Sequence, residues 1–156
     1  MIIHIGADHK GFKLKEHIKS FLGNRGYEIV DAGNSRYEEN DDYPAFAKKV
    51  AESVSNNYEN ARGILICGSG VGMDIVANKF KYIRSALVCS ADQAFDSRNE
   101  DDANVLSLPA SYVKPEDAER IVSTWLTTPF SGEERHERRL QEIYKIEGEI
   151  GGLTKF

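Results

Sequence analysis

The chain has 156 residues, 40% hydrophobic and 29% charged, which suits one folded domain with a single core and excludes a disordered chain. Twenty basic residues against 25 acidic ones leave a net charge of −5 with no basic run, so nucleic acid is not the expected partner, and any anion must be met by a local cluster of donors. Cys67 and Cys89 are the only two thiols, too few for a disulfide framework and without metal-ligand spacing, and no stretch is long and apolar enough for a signal peptide or a membrane span, so a reducing cytoplasm is the expected compartment.

Residues 2–5 form a short β-rich run ending at Gly6, and residues 12–22 place Phe12, Leu14, Ile18, Phe21 and Leu22 at helical spacing before Gly23 and Gly26. A second strand is expected over 27–30, an acidic loop over 34–42, and a helix opening at Tyr43-Pro44 with Phe46, Ala47, Val50, Ala51 and Val54 inward. Residues 63–67 (GILIC) read as a central strand buried on both faces. The alternation then continues: helix 71–80, strand 85–89, helix 91–99, strand 104–108 and helix 115–126. A charged helix over 133–149 closes the pattern, released by Gly151-Gly152. Strand–helix alternation without an internal repeat predicts one domain over 1–150 with a tail at 151–156. Its expected form is a five-stranded parallel sheet covered by helices on both sides.

In such sheets, ligands bind beyond the carboxyl ends of the strands, and that rule selects residues. After the first strand come Asp8 and His9, an acid and an imidazole that suit sugar and phosphate binding or proton exchange; the plainer alternative is that Asp8 caps the next helix. After the third strand comes Cys67-Gly68-Ser69-Gly70-Val71-Gly72. Its three glycines let the backbone approach a ligand and aim N–H groups at one point, where the helix dipole reinforces them. The spacing matches neither the dinucleotide nor the ATP phosphate loop. Cys67, beside a helix N-terminus, is expected to have a lowered pKa and to serve as nucleophile or base, against the alternative of a small buried hydrophobe, which fits Cys89 better. On the tail, Arg135 and Arg139 are four apart and share a helix face. From charge alone, that face reads as solvated and paired with the neighbouring glutamates.

Taken together, IGADHKGFKLKEHI, DYPAFAKKVAESV, GILICGSGVGMDIVANKF, SRNEDDANVLSL and RHERR resemble the ribose-5-phosphate isomerase B family, which includes the galactose-6-phosphate isomerase subunits, from Ile3 to about Ile146. The resemblance implies a Rossmann-like three-layer α/β/α sandwich and an aldose–ketose isomerase for a phosphorylated sugar. It implies a homodimer, or a dimer of such dimers, with sites between subunits, and neither metal nor organic cofactor. It assigns Cys67 as the base, residues 68–72 (Gly68, Ser69, Gly70, Val71 and Gly72) as the enediolate loop, and Asp8, His9 and Tyr43 as sugar and phosphate contacts. Arg135 and Arg139 fall on phosphate-binding arginines, which reverses the reading from charge alone. Glu100 stands where the ring-opening histidine is usual, Asp101 where an asparagine is usual, and Ser111 where an arginine is usual. Three functions follow: a ribose 5-phosphate isomerase, a hexose 6-phosphate isomerase, and a sugar-phosphate-binding regulator that kept the site without turnover.

Overall fold

The computed structural model describes residues 1–151, with side chains through 149, so most of the expected tail, Gly152 included, lies outside the described residues. The order is β1 (Ile2–Ala7), α1 (Phe12–Gly23), β2 (Glu28–Asp31), α2 (Tyr43–Ser55), β3 (Ala61–Cys67), α3 (Val71–Ala77), β4 (Ser85–Leu87), α4 (Ala91–Asn99), β5 (Val105–Pro109), α5 (Pro115–Thr127) and α6 (Glu134–Gly151). All strand pairs are parallel, in the order β2-β1-β3-β5-β4.

Side-chain alternation along the strands builds two cores. Ile64 and Ile66 point to one face with Ile3, Ile5, Leu106 and Leu108, where α1 and α5 supply Ile18, Leu22, Ile121 and the fully buried Trp125. Leu65 and Cys67 point to the other face with Val105, where α2 and α3 supply Phe46, Val50, Val54 and Met73. These are the three layers expected from the sequence. Gly6 and Gly63 thin the sheet under α2, since a Cβ on either would stand about 3 Å from Val50.

Three elements differ from expectation. Helix α3 ends at Ala77, three residues before Phe80. The Asn78 side chain exchanges two hydrogen bonds with the backbone of Ser85, tying the helix end to the start of β4 (2.9 and 3.0 Å). Strand β4 stops at Leu87 as a three-residue edge strand, and α6 runs through Gly151, two residues past the expected end and the last described residue.

Lys15 is the residue whose burial the apolar pattern does not announce. It lies fully buried in α1, with Nζ donating to Asp31 (2.7 Å) and to the Asn34 carbonyl (2.8 Å). Burial opposes ionisation of Asp31, but Lys15, Lys19 and the Gly33 N–H outweigh it and hold the carboxyl below the usual carboxylate range. A depressed carboxylate pKa contributes stability that is present above the unfolded pKa and lost as pH falls through the folded one. Removing one partner of a buried pair costs about 3–5 kcal/mol. Lys15→Ala is therefore expected to lower unfolding free energy in urea by that order, with less of the acid-limb dependence that the wild type shows.

Candidate active site

The sheet order reverses between β1 and β3: α1 leads from β1 to β2 on one side, and α2 returns the chain to β3 on the other. That switch point opens a crevice at the carboxyl ends of two adjacent strands. Ala7 pairs with Ile66, and the Asp8 N–H continues the ladder to the Ile66 carbonyl (3.3 Å), so Asp8 and Cys67 emerge side by side. Asp8 does not cap α1. Its Oδ1 accepts from the Gly11 N–H (2.9 Å) and closes the turn before the helix. Gly11 has no room for a side chain there, since a Cβ would stand 2.1 Å from the Ile66 carbonyl oxygen.

His9 is fixed by a residue that sequence reasoning did not select. Asp41 Oδ1 accepts from the His9 backbone N–H (2.9 Å) and lies 2.8 Å from Nδ1. The other ring nitrogen is left to meet a ligand. Tyr43, at the start of α2, lies over the glycine loop: a Cβ on Gly72 would stand 2.7 Å from the tyrosine ring. Gly70 adopts φ +76°, the left-handed region that favours glycine, and its N–H donates to Cys67 Sγ (3.2 Å). Asp8, His9, Tyr43, Cys67 and residues 68–72 thus meet at one corner.

The electrostatics of Cys67 correct the expectation of a lowered pKa. Burial pushes the thiol up, the N–H groups of Met73 and Gly70 pull it down, the Asp8 charge pushes it up again, and the Ser69 N–H pulls it down; the balance is upward. The helix N-terminus acts as expected but does not overcome desolvation and a neighbouring acid. The two cysteines also exchange the surroundings expected of them, with Cys67 buried and Cys89 exposed. Removing the Asp8 charge should let Cys67 ionise at lower pH. In a Cys89→Ser background, Asp8→Asn is expected to shift the pH midpoint of iodoacetamide alkylation downward; an unmoved midpoint would mean that Asp8 is uncharged while the thiol titrates.

Glu100, Asp101, Arg135 and Arg139 are not at this corner. Helix α4 begins after Ser90, beyond the carboxyl end of β4, and runs back to Asn99, so Glu100 and Asp101 emerge at the amino ends of the strands. There the Asp101 carbonyl accepts from Arg84 Nε (3.0 Å), and Asp102 takes the Arg84 and Arg98 guanidinium groups (2.8 and 2.6 Å). Helix α6 starts beside them, with the Ser131 N–H bonded to the Asn99 carbonyl (3.0 Å). Arg135 is exposed and paired with Glu133 (2.8 Å), and Arg139 is exposed one turn on. His136 is buried between them, with Nδ1 2.7 Å from Ser131 Oγ and an unpartnered Nε2 3.9 Å from the Glu100 carboxylate. A groove of about 1090 Å³ opens at this end, lined by Arg84, Asp101 and Ile143 among others. Seven-residue β3 separates the two clusters by about 20 Å. Within one chain, the thiol and the tail arginines cannot touch one small sugar.

A family model described as Ribose/Galactose Isomerase matches residues 3–143. The chain belongs to the ribose/galactose isomerase family. It is 44% identical over 146 residues to ribose-5-phosphate isomerase B of Escherichia coli, covering 93% of this chain and 95% of that one. It is 42% identical over 147 residues to the probable ribose-5-phosphate isomerase B of Mycoplasma genitalium, covering 94% and 96%. The crystal structure of the Mycoplasma genitalium enzyme with bound ribulose-5-phosphate superposes with a TM-score of 0.92 at 41% identity, over 95% of this chain and 97% of that chain. This member of the ribose/galactose isomerase family therefore shares both fold and full-length sequence pattern with ribose-5-phosphate isomerases B.

Proposed function

We propose that this family member interconverts ribose 5-phosphate and ribulose 5-phosphate through an enediolate. The observation that carries the reading is Cys67 at the switch point, with N–H groups of its own glycine loop converging on the sulfur. Thiolate Sγ takes the proton from C2 of the open-chain aldose as the C1 carbonyl oxygen becomes anionic. The O2 hydroxyl proton passes to O1, the thiol returns its own proton to C1, and C2 becomes the ketone. Charge develops on oxygen, so preorganised N–H donors in the loop, with Ser69, lower the barrier; one such donor is typically worth ~3 kcal/mol. Asp8, His9 and Tyr43 orient the sugar. No step in this scheme requires a metal or an organic cofactor. The enzyme works, in this reading, in the cytoplasm and the pentose phosphate pathway.

The active unit in this reading is a homodimer. Glu100, Asp101, Arg135 and Arg139 serve the Cys67 corner of the second copy, Glu100 opening the furanose and the arginines holding the phosphate. The separation of about 20 Å along β3 supports it. So does the exposed apolar surface around edge strand β4, formed by Val71, Ile75, Leu87 and Phe95. Purified protein given ribose 5-phosphate, allose 6-phosphate and galactose 6-phosphate, followed by NMR of anomeric and ketose signals, tests the substrate. Turnover of a hexose alone would move the assignment to the other branch of the family.

Complementation tests the shared site. Cys67→Ala and Arg139→Ala proteins, each nearly inactive alone, are expected to regain activity when unfolded and refolded together. Random pairing in a symmetric dimer makes about a quarter of the sites wild type. No recovery would mean that both groups serve one site within one chain.

A further inference from the structure

Gly68 is glycine for a reason that backbone conformation does not supply, because the positive-φ glycines among the described residues are Gly26, Gly70 and Gly132. Its neighbour supplies the reason. A Cβ on residue 68 would stand 2.8 Å from Lys10 Cδ and 3.5 Å from Lys10 Cβ, with Ser111 Oγ next at 3.6 Å. The aliphatic stem of Lys10 lies across the first glycine of the catalytic loop, and its ammonium follows two bonds further on in a residue that is exposed. Gly68 is the space that the stem occupies.

That ammonium has no other engagement. Among the described residues, Lys10 forms no ion pair, side-chain hydrogen bond or cation–π contact. Lys15 and Lys19 on the next helix are both tied to Asp31. The Cys67 corner is otherwise acidic in this chain: Asp8 is buried beside the thiol, Asp42 precedes Tyr43, and Asp41 occupies the His9 imidazole. A dianionic sugar phosphate entering this corner meets the Asp8 and Asp41 carboxylates and the Lys10 side chain, whose stem is already packed. Pre-packing lowers the ordering cost of using that cation, and a charge-assisted hydrogen bond to a phosphate oxygen is among the stronger polar contacts.

We propose that Lys10 is a phosphate-binding residue of the active site, a cation contributed by the chain that also contributes Cys67. The proposal rests on the isomerase reading above and adds to it a contact from the thiol side of the site. With Ser111 alongside, Lys10 offsets the acids of its own corner, while the tail arginines approach from the second copy.

The test uses Lys10→Met, which keeps the stem and deletes the charge, and Lys10→Arg, which keeps both. For Lys10→Met, the KM for ribose 5-phosphate and the Ki of inorganic phosphate as a competitor are each expected to rise about tenfold or more, with kcat changed less than about twofold. Lys10→Arg is expected to restore both, and an unchanged melting curve shows the fold is retained. Unchanged KM and Ki in Lys10→Met would overturn the proposal. A fall in kcat at constant KM would overturn it too, because the ammonium would then serve the reacting oxygen. Should the wild type turn over no ribose 5-phosphate, the isomerase reading fails on its own. Calorimetric titration of wild type and Lys10→Met with inorganic phosphate then decides Lys10 separately.

Discussion

Cys67→Ala is expected to lower kcat for ribose 5-phosphate by ~10³-fold or more, within the range by which a positioned base accelerates proton transfer. Sγ is the group that the corner converges on, with the Gly70 N–H 3.2 Å away and Asp8 emerging beside it. Alanine removes one buried sulfur from a face also packed by Leu65, Met73 and Val105, so the melting temperature should move by only a few degrees. Stopped assays with both sugar phosphates, alongside a thermal melt, measure the two effects separately. Turnover within tenfold of wild type would remove Cys67 as the base. Because burial and Asp8 raise the thiol pKa, wild-type kcat/KM should climb with pH until the thiol is ionised, and that limb should vanish in the variant.

Gly70→Ala should be the most damaging single methyl in the loop. At φ +76° an L side chain is strained by about 1–2 kcal/mol before any contact is counted. A Cβ there would stand 2.3 Å from Leu87 Cδ1, and 3.2 and 3.3 Å from the backbone of Pro109 and Leu108. Leucine can rotate; the strand cannot. Overpacking of this kind adds about 1–3 kcal/mol. A loss of about 2–5 kcal/mol in urea unfolding is expected in total. The Gly70 N–H that donates to Cys67 Sγ moves with the loop, so kcat is expected to fall together with stability. Wild-type stability and kcat together would show that the loop relaxes without consequence to the donors.

Much of this architecture was legible in the residues. The unbroken apolar run GILIC and the helical spacing of Phe46, Val50 and Val54 identify a sheet covered on both sides, and the strand-end rule selects Asp8, His9 and residues 67–72. What escaped is set by contacts between distant segments. Lys15 reads as a solvent-facing helix residue because its acceptors, Asp31 and Asn34, arrive 16 and 19 residues later. Asp41 reads as loop because its partner is His9, 32 residues earlier. The sequence points the thiol's pKa the wrong way because spacing reveals the helix N-terminus but not the depth of burial or the facing acid. Spacing also could not say that Glu100 and the tail arginines lie at the opposite end of the sheet from Cys67. That follows only once α4 is seen to run antiparallel to the strands.

The burial of Cys67 and the exposure of Cys89 also decide which thiol suffers oxidative damage. Peroxide attack follows thiolate content and access, and Cys67 offers little of either while the site is empty. Cys89, exposed beyond β4, is expected to take the first sulfenic acid or mixed disulfide while Cys67 stays reduced. Mild oxidant should therefore add mass to the chain well before it removes activity, so a sample that looks damaged by mass spectrometry can still be a competent catalyst.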